Sequence, residues 1–447
     1  MKNSLLAINP LDGRYADKTS ELSEFVSEYA LIKYRFEIEI NYLLALSNKK
    51  IIRNFSEKEK KYLLSLVSKF DLEEAGKVKG IEKEVINDVK SFEVYLRNGL
   101  SKTSLKDIIE HVHFGLTSDD INNIAYRLML KNAVLKVIVP ELERFNNELG
   151  AFSRKHKKTV ILARTHGQAA VPTTFGKEFA VFKSRLEKEI RNLKEQKLTG
   201  KLNGAVGNFN ALYFVYPKID WIKFSKEFVS SFGLTPNLIT TQINPFEDVA
   251  ALLQNLQRIN GILLDFDQDT WRYISDGWLR YKVTEKEVGS STMPQKLNPI
   301  NFENSEGNLS LANGFMQTMA DKLYISRLQR DLSSSTIIRN LGTALGYCLL
   351  AYKNAFSGVT KIDVNLEQID KDLNEDWSIL SEGLQTYLRK ENFKDAYFYV
   401  AQYTKGKKFN KESWQKLISE LPIEKKHKEK LLKLTPKTYT GLAERLI

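Results

Sequence analysis

Apolar side chains recur three or four residues apart along almost the whole of this 447-residue sequence, and that period admits packed helices and little else. Leu22, Phe25, Tyr29, Ile32, Phe36, Ile40 and Leu43 form one stripe, and Val85, Val89, Phe92 and Leu96 another. Ser56 to Glu59 has capping-box spacing ahead of Leu63, Leu66, Val67 and Phe70. A long helix is expected to start near Ser118 and run to Ile138, with Pro140 kinking or breaking it before Leu142, Phe145 and Leu149. Phe175, Phe179, Phe182, Leu186, Ile190 and Leu193 mark a further helix, as do Val249, Leu252, Leu256, Ile259, Leu263 and Phe266. Residues 336–356 read as one more, with Gly342 and Gly346 permitting close contact. Period-two alternation is nearly absent, so the expected class is all-α, a bundle of long helices.

Composition then removes whole classes of function. With 42% apolar and 27% charged residues, the chain can bury a core and coat a surface, which disordered sequences cannot do. No run approaches the roughly 18 apolar residues that span a bilayer, and Met1 to Pro10 is too short in apolar residues for a signal peptide. One cysteine, Cys348, excludes an intrachain disulfide or a Cys-rich metal site and fits a reducing, cytoplasmic setting. The formal net charge is +12, and residues 405–437 supply +7 of it through 11 Lys and 4 Glu. Acids are interleaved there and aromatics are sparse, whereas a nucleic-acid groove mixes basic with stacking residues. A solvated helical surface is expected, with no nucleic acid and no membrane as partner.

Three irregular segments interrupt the helices, and loops on a rigid scaffold are where chemistry concentrates. Arg164 to Gln168 joins two predicted helices and carries His166, the best acid–base candidate of the five histidines. His111 and His113 fall on different faces of a helix and suit a metal pair poorly, and His156 and His427 sit in lysine-rich runs and are expected to be exposed. Asn203 to Asn210 is a Gly/Asn-rich loop. Residues 285–300 contain Gly289-Ser-Ser-Thr-Met-Pro-Gln-Lys-Leu-Asn-Pro299, in which Pro294 and Pro299 forbid a continuous helix. Lys296 and Asn298, two apart in an extended backbone, would point the same way and could hold a carboxylate that gains charge. A fourth cluster, Ser326 to Arg339, places Arg330 ahead of a helix expected to start near Ser333–Ser335, with Arg339 one turn inside. That pattern suits phosphate, or equally N-capping serines beside surface arginines.

The loop at 289–299 resembles the signature loop of the fumarase/aspartase superfamily. Asp12 to Tyr15, His113 to Asn123, Thr165 to Gln168, Lys201 to Asn210, Thr240 to Ile243, Phe302 to Asn308 and Ser326 to Gly342 are similar to the adenylosuccinate lyase family, its longer bacterial-type branch. The likeness covers essentially the whole chain. It implies anti β-elimination of fumarate from adenylosuccinate, giving AMP, and from SAICAR, giving AICAR, in purine nucleotide biosynthesis, with no metal and no organic cofactor. It implies Ser290 as the base, Lys296 and Asn298 as holders of the carboxylate beside the carbanion, His166 as the acid and Glu303 as the carboxylate that orients this histidine. Arg14, Tyr15, Asn87, Asp88, Thr117, Ser118, Gln242, Arg330, Ser335 and Arg339 would contact substrate, the Arg/Ser group among them at the nucleotide phosphate. The resemblance also implies a homotetramer whose active sites each draw on three chains. The expected division is an N-terminal helical domain, 1–116, a central long-helix domain, 117–359, and a C-terminal helical domain, 360–447.

The chain departs from the family pattern at histidines. Asn87 and Ile86 stand where His and Asn are usual, Gln295 replaces a histidine in the signature loop, and Phe246-Glu247 replaces His-Asp. Asn87 can hydrogen-bond but carries no charge, so weaker phosphate or ribose binding is expected, with catalysis retained. The competing readings are an argininosuccinate lyase, which shares Gln295, a catalytically weakened binding or structural relative on the same fold, and a basic RNA-binding protein.

Overall fold

Helices form where the apolar period runs in the computed structural model, which describes residues 4–282 and 292–447. Those that matter for the site are α1 (Glu28–Asn48), α2 (Asp88–Leu100), α3 (Ser118–Ala133), α4 (Val139–Lys155), α5 (Phe175–Glu195), α6 (Glu247–Ser275), α7 (Ile300–Leu323), α8 (Ser333–Ile338) and α9 (Leu341–Lys361). The capping box is present: Ser56 Oγ accepts from Glu59 N at 3.3 Å and Glu59 Oε2 accepts from Ser56 N at 2.8 Å. The first stripe is interrupted at Ser27, whose hydroxyl accepts from Ala30 N and caps α1. The stripe from Val85 to Leu96 is likewise two helices, since Ile86 takes a left-handed conformation at φ +52°.

Pro140 does not break its helix. The backbone passes from α3 through a π-helical turn, Val134–Ile138, where Val139 N donates to Val134 O, and continues as α4. The wider turn accommodates a residue that has no N–H to give. The expected helix at 336–356 is two, α8 and α9, divided at Arg339 and Asn340. Gly342 and Gly346 do allow close contact: a Cβ would lie 3.1 Å from Val26 O at the first and 2.8 Å from Leu11 Cδ1 at the second.

The described residues gather into two compact units. One comprises 1–142, 189–260 and 307–351. Here α1 packs on α3, and the Tyr42 hydroxyl donates to Phe114 O while its ring meets Phe224 and Phe228 edge-on. The other comprises 143–188, 261–306 and 352–447 and is centred on phenyl rings. Phe152 stacks on Phe179 at 3.9 Å, and Phe266 meets Phe145, Phe182 and Phe302 edge-on at 5.3–6.1 Å. Burying each such ring contributes about 1.5–3 kcal/mol.

The all-α class holds, with three two-stranded ladders among the described residues. One corrects the expectation for 164–168: Val160–Thr165 (β1) pairs antiparallel with Gln168–Thr174 (β2), so His166 sits at the tip of a β-hairpin. In the basic segment, Trp414, Leu417, Ile418 and Leu431 are buried, while ten of its lysines are exposed and Lys428 is half-buried. Among the described residues no helix is long and apolar enough to cross a membrane.

Candidate active site

In the first unit a cavity of about 200 Å³ collects residues from α1, α2, α3, α8 and the segments flanking them. Asn87, Asp88, Ser118, Arg330, Ser335 and Arg339, all expected at a substrate site, line it together. Arg330 Nη1 donates to Ser118 Oγ at 2.9 Å and to Gln242 Oε1 at 3.2 Å, which ties Gln242 to the same wall. Arg14 and Tyr15 are outside this lining; the Arg14 guanidinium lies 5.8 Å from the Tyr15 ring centroid.

The charges here are unevenly matched. Arg339 pairs with Asp88 at 2.9 Å and with Glu28 at 3.7 Å, whereas Arg330 has no carboxylate partner among the described residues. Burial would raise the Asp88 carboxyl, but the Arg35 and Arg339 guanidiniums beside it carry it below its ordinary value. Asp119 also lines the cavity, and burial pushes its carboxyl up against the opposing pull of Lys201, Arg330 and Arg127. Tyr126, Phe246, Leu332 and Ile338 supply an apolar wall. Guanidiniums on one side and flat apolar surface on the other suit an anion attached to a planar group.

Two expectations about this cluster change. Asp331 accepts from the Ser333 amide and hydroxyl at the start of α8, so that amide is already occupied. Arg339 follows the last turn of α8 rather than sitting inside it. The donors that this cluster turns toward the cavity are side chains. Asn87 likewise serves the backbone, since its Oδ1 accepts from Val89 N at 3.0 Å and Lys90 N at 2.8 Å and so caps α2. Phe246, another of the three histidine replacements, lines the same cavity, its ring centroid 5.0 Å from the Arg127 guanidinium.

A buried polar network holds the segments at 117–123, 199–204 and 237–248 together. Asp120 accepts from the amides of Thr117, Asn203 and Gly204 and pairs with Lys201 Nζ at 3.1 Å, both side chains fully buried. Lys201 Nζ also donates to Gly204 O at 2.9 Å, and Asn123 exchanges two hydrogen bonds with the Lys201 backbone. Asn203 Nδ2 reaches Thr240 Oγ1 at 2.8 Å. Gly207, at φ +86°, lets this loop pass so close to Thr240 that a Cβ would sit 2.2 Å from its carbonyl oxygen. These contacts fix where Thr117, Ser118 and Gln242 stand.

In the second unit, His166 and Gly167 are the two central residues of the hairpin turn, with φ of +52° and +74°. Positive φ at both marks a type I′ turn, and a histidine held there is strained by roughly 1–2 kcal/mol. Its ring is exposed. Ser290 lies outside the described residues. Lys296 is exposed and Asn298 half-buried, both in backbone without regular secondary structure. Glu303, in the first turn of α7, is exposed and accepts from Trp271 Nε1 at 3.2 Å rather than from His166.

The remaining histidines are less accessible than their surroundings suggest. His156 is 8% exposed, near Thr159 Oγ1 and stacked toward Phe152, and His427 Nδ1 lies 2.7 Å from the Tyr387 hydroxyl. His113 faces the fully buried Glu39, 3.2 Å from Nδ1. Among the described residues no group of three His, Cys, Asp or Glu side chains is placed to hold a metal ion.

Residues 13–314 match the model of the Lyase family, and residues 326–440 match the adenylosuccinate lyase C-terminal model. The adenylosuccinate lyase of Legionella pneumophila (strain Corby) is 44% identical over 99% of this chain and 98% of its own. That of Escherichia coli (strain K12) is 41% identical over the same shares. Among solved structures, a fumarate lyase from Mesorhizobium sp. BNC1 superposes with a TM-score of 0.76 at 19% identity, covering 96% of each chain. The 3-carboxy-cis,cis-muconate lactonizing enzyme from Pseudomonas putida gives 0.76 at 18%, covering 98% of this chain and 97% of its own. These two show the fold, and the full-length relatives show the family: the chain belongs to the adenylosuccinate lyases.

Proposed function

We propose that this chain cleaves adenylosuccinate to AMP and fumarate, and SAICAR to AICAR and fumarate, by anti β-elimination. The observation that carries the reading is the cavity that unites Asn87, Asp88, Ser118, Arg330, Ser335 and Arg339 from three distant stretches of sequence. An apolar wall with unequally paired guanidiniums accepts a nucleotide monophosphate, and argininosuccinate has no phosphate to place there.

Ser290 removes the proton beside the succinyl carboxylate, and the pair of electrons delocalises into that carboxylate, held by Lys296 and Asn298. His166 gives its proton to the departing nitrogen as the C–N bond breaks, with Glu303 supporting the charged imidazole. A homotetramer with shared sites supplies these groups to one substrate. The division at 1–116, 117–359 and 360–447 belongs to the same proposal, the middle segment providing the long helices.

The test is incubation of the purified protein with adenylosuccinate, following AMP and fumarate directly, beside Ser290→Ala and His166→Ala. Turnover by the parent with losses of at least about 100-fold in both variants is expected. Turnover that neither substitution alters would overturn the assignment of base and acid. Cleavage of argininosuccinate instead of adenylosuccinate would overturn the substrate.

A further inference from the structure

We propose that Arg35 is a positioning residue for the anion-binding cavity: through Asp88 and Asn122 it sets where Arg339 stands. The proposal rests on the reading of that cavity as the phosphate site. Arg35 lies on α1 between residues that form the core, and its side chain is only 2% exposed. A guanidinium in that position is costly unless every direction it points is answered. Its Nε donates to Asn122 Oδ1 at 2.7 Å and its Nη2 to Asp88 Oδ2 at 2.8 Å. Both partners line the cavity, one from α3 and the other from the first turn of α2.

The same Asp88 oxygen accepts from Arg339 Nη2 at 2.9 Å. One carboxylate oxygen therefore serves a buried guanidinium and a half-exposed one. Arg35 itself stands at the cavity wall with almost none of its side chain exposed, held by the residues packed around it, so it fixes Asp88, and Asp88 fixes the Arg339 fork against the cavity. The arrangement also tunes charge. With Arg35 in place, Asp88 is shared, and Arg339 keeps attraction to spare for an incoming anion. Without it, Asp88 would neutralise Arg339 alone and compete with the anion.

Lysine in this position keeps the charge but lacks the planar fork that meets Asn122 and Asp88 through two separate nitrogens in fixed directions. The test compares the parent with Arg35→Lys and Arg35→Met. Inorganic phosphate affinity is measured by calorimetry, and KM and kcat for adenylosuccinate and the thermal midpoint are measured alongside. In Arg35→Lys the phosphate affinity is expected to weaken and KM to rise together by roughly tenfold, with kcat within about twofold of the parent. Arg35→Met should weaken phosphate further if it folds. A merely structural residue would lower the thermal midpoint and the active fraction without moving phosphate affinity or KM. Unchanged phosphate affinity in a folded Arg35→Lys, or a loss confined to kcat, overturns the proposal. A parent that binds phosphate but turns over no adenylosuccinate refutes the reaction alone, and the phosphate comparison still decides Arg35. A parent that binds no phosphate overturns both.

Discussion

Replacing Lys201 with methionine tests whether the buried network behind the cavity holds it in shape. The Lys201 ammonium is fully buried and makes two contacts, to Asp120 at 3.1 Å and to Gly204 O at 2.9 Å. Methionine fills similar volume and leaves the Asp120 carboxylate buried without its counter-charge. Breaking one side of such a pair costs about 3–5 kcal/mol. Asp120 keeps three backbone amides, those of Thr117, Asn203 and Gly204, so the lower end, about 3 kcal/mol, is expected. Unfolding entropy near 2.1 cal/mol/K per residue gives about 0.9 kcal/mol/K for this chain if it melts as one, and hence a midpoint lowered by roughly 3 °C. The assay is thermal unfolding of Lys201→Met, Asp120→Asn and the double variant. The double should lose clearly less than the sum of the singles, because removing both charges leaves none stranded. A shift under about 1 °C in Lys201→Met, or strict additivity, would refute the claim that this pair holds the three segments together.

Ile86 is 90% exposed and held at φ +52° at the end of its helix, so Ile86→Gly should stabilise the protein by about 1 kcal/mol in urea unfolding; a loss of stability would contradict the strain. Burial alone would lower the His113 imidazole, but hydrogen bonding and charge from Glu39, with Glu93 and Asp120 behind it, raise it above its ordinary value. The folded state therefore holds this proton more tightly than the unfolded chain does. The resulting stability is full below the ordinary histidine range, about pH 6.5, and is lost as pH rises through the raised value. Urea midpoints across that window should show a slope that His113→Gln reduces, and an unaltered slope would dismiss the pair. Asn87→His removes a cap that receives two amides and should cost about 1 kcal/mol, while adding a donor that tightens AMP binding in calorimetry. Unchanged AMP affinity would show that the departure from histidine costs nothing.

The helices were legible because their information is local. The Ser56–Glu59 box and the Phe175-Phe179-Phe182 stripe are complete within a few turns, and both appear as read. Six cavity residues are nominated by the family resemblance, and of these only Arg330, Ser335 and Arg339 also by the chemistry of their own segment. The hairpin was not legible. Val160 to Thr165 reads as a short apolar run, which periodicity cannot distinguish from buried helix, and its turn uses His-Gly where Asn-Gly would have announced it. The burial of Arg35 and Lys201 was not legible for a different reason. A single cation, whether beside an apolar stripe as Arg35 is or in a Gly/Asn-rich segment as Lys201 is, looks like a surface residue until its partners are known, and these partners lie 53 and 81 residues away. Buried charge is a property of the tertiary arrangement and not of the local pattern.

The exposure of the expected acid–base and carboxylate-holding groups has a consequence for catalysis. His166, Lys296 and Glu303 are exposed to solvent within one chain, and Asn298 is half-buried. A carbanion is stabilised well only where water is excluded and the charges around it are undiluted. Groups this exposed therefore need cover from another surface. The α7 helix offers one: Leu311 is 50% exposed and Phe315 36%, beside a cleft of about 410 Å³ lined by Leu311, Gly314, Phe315, Met319 and Ile337. Apolar groups left open on a long helix are the mark of a face that associates. If copies of this chain cover one another, specific activity must fall on dilution below the dissociation range of the assembly, in step with the loss of the large species on sizing. A monomer that retains full specific activity would refute this account and return the burden of excluding water to a single chain.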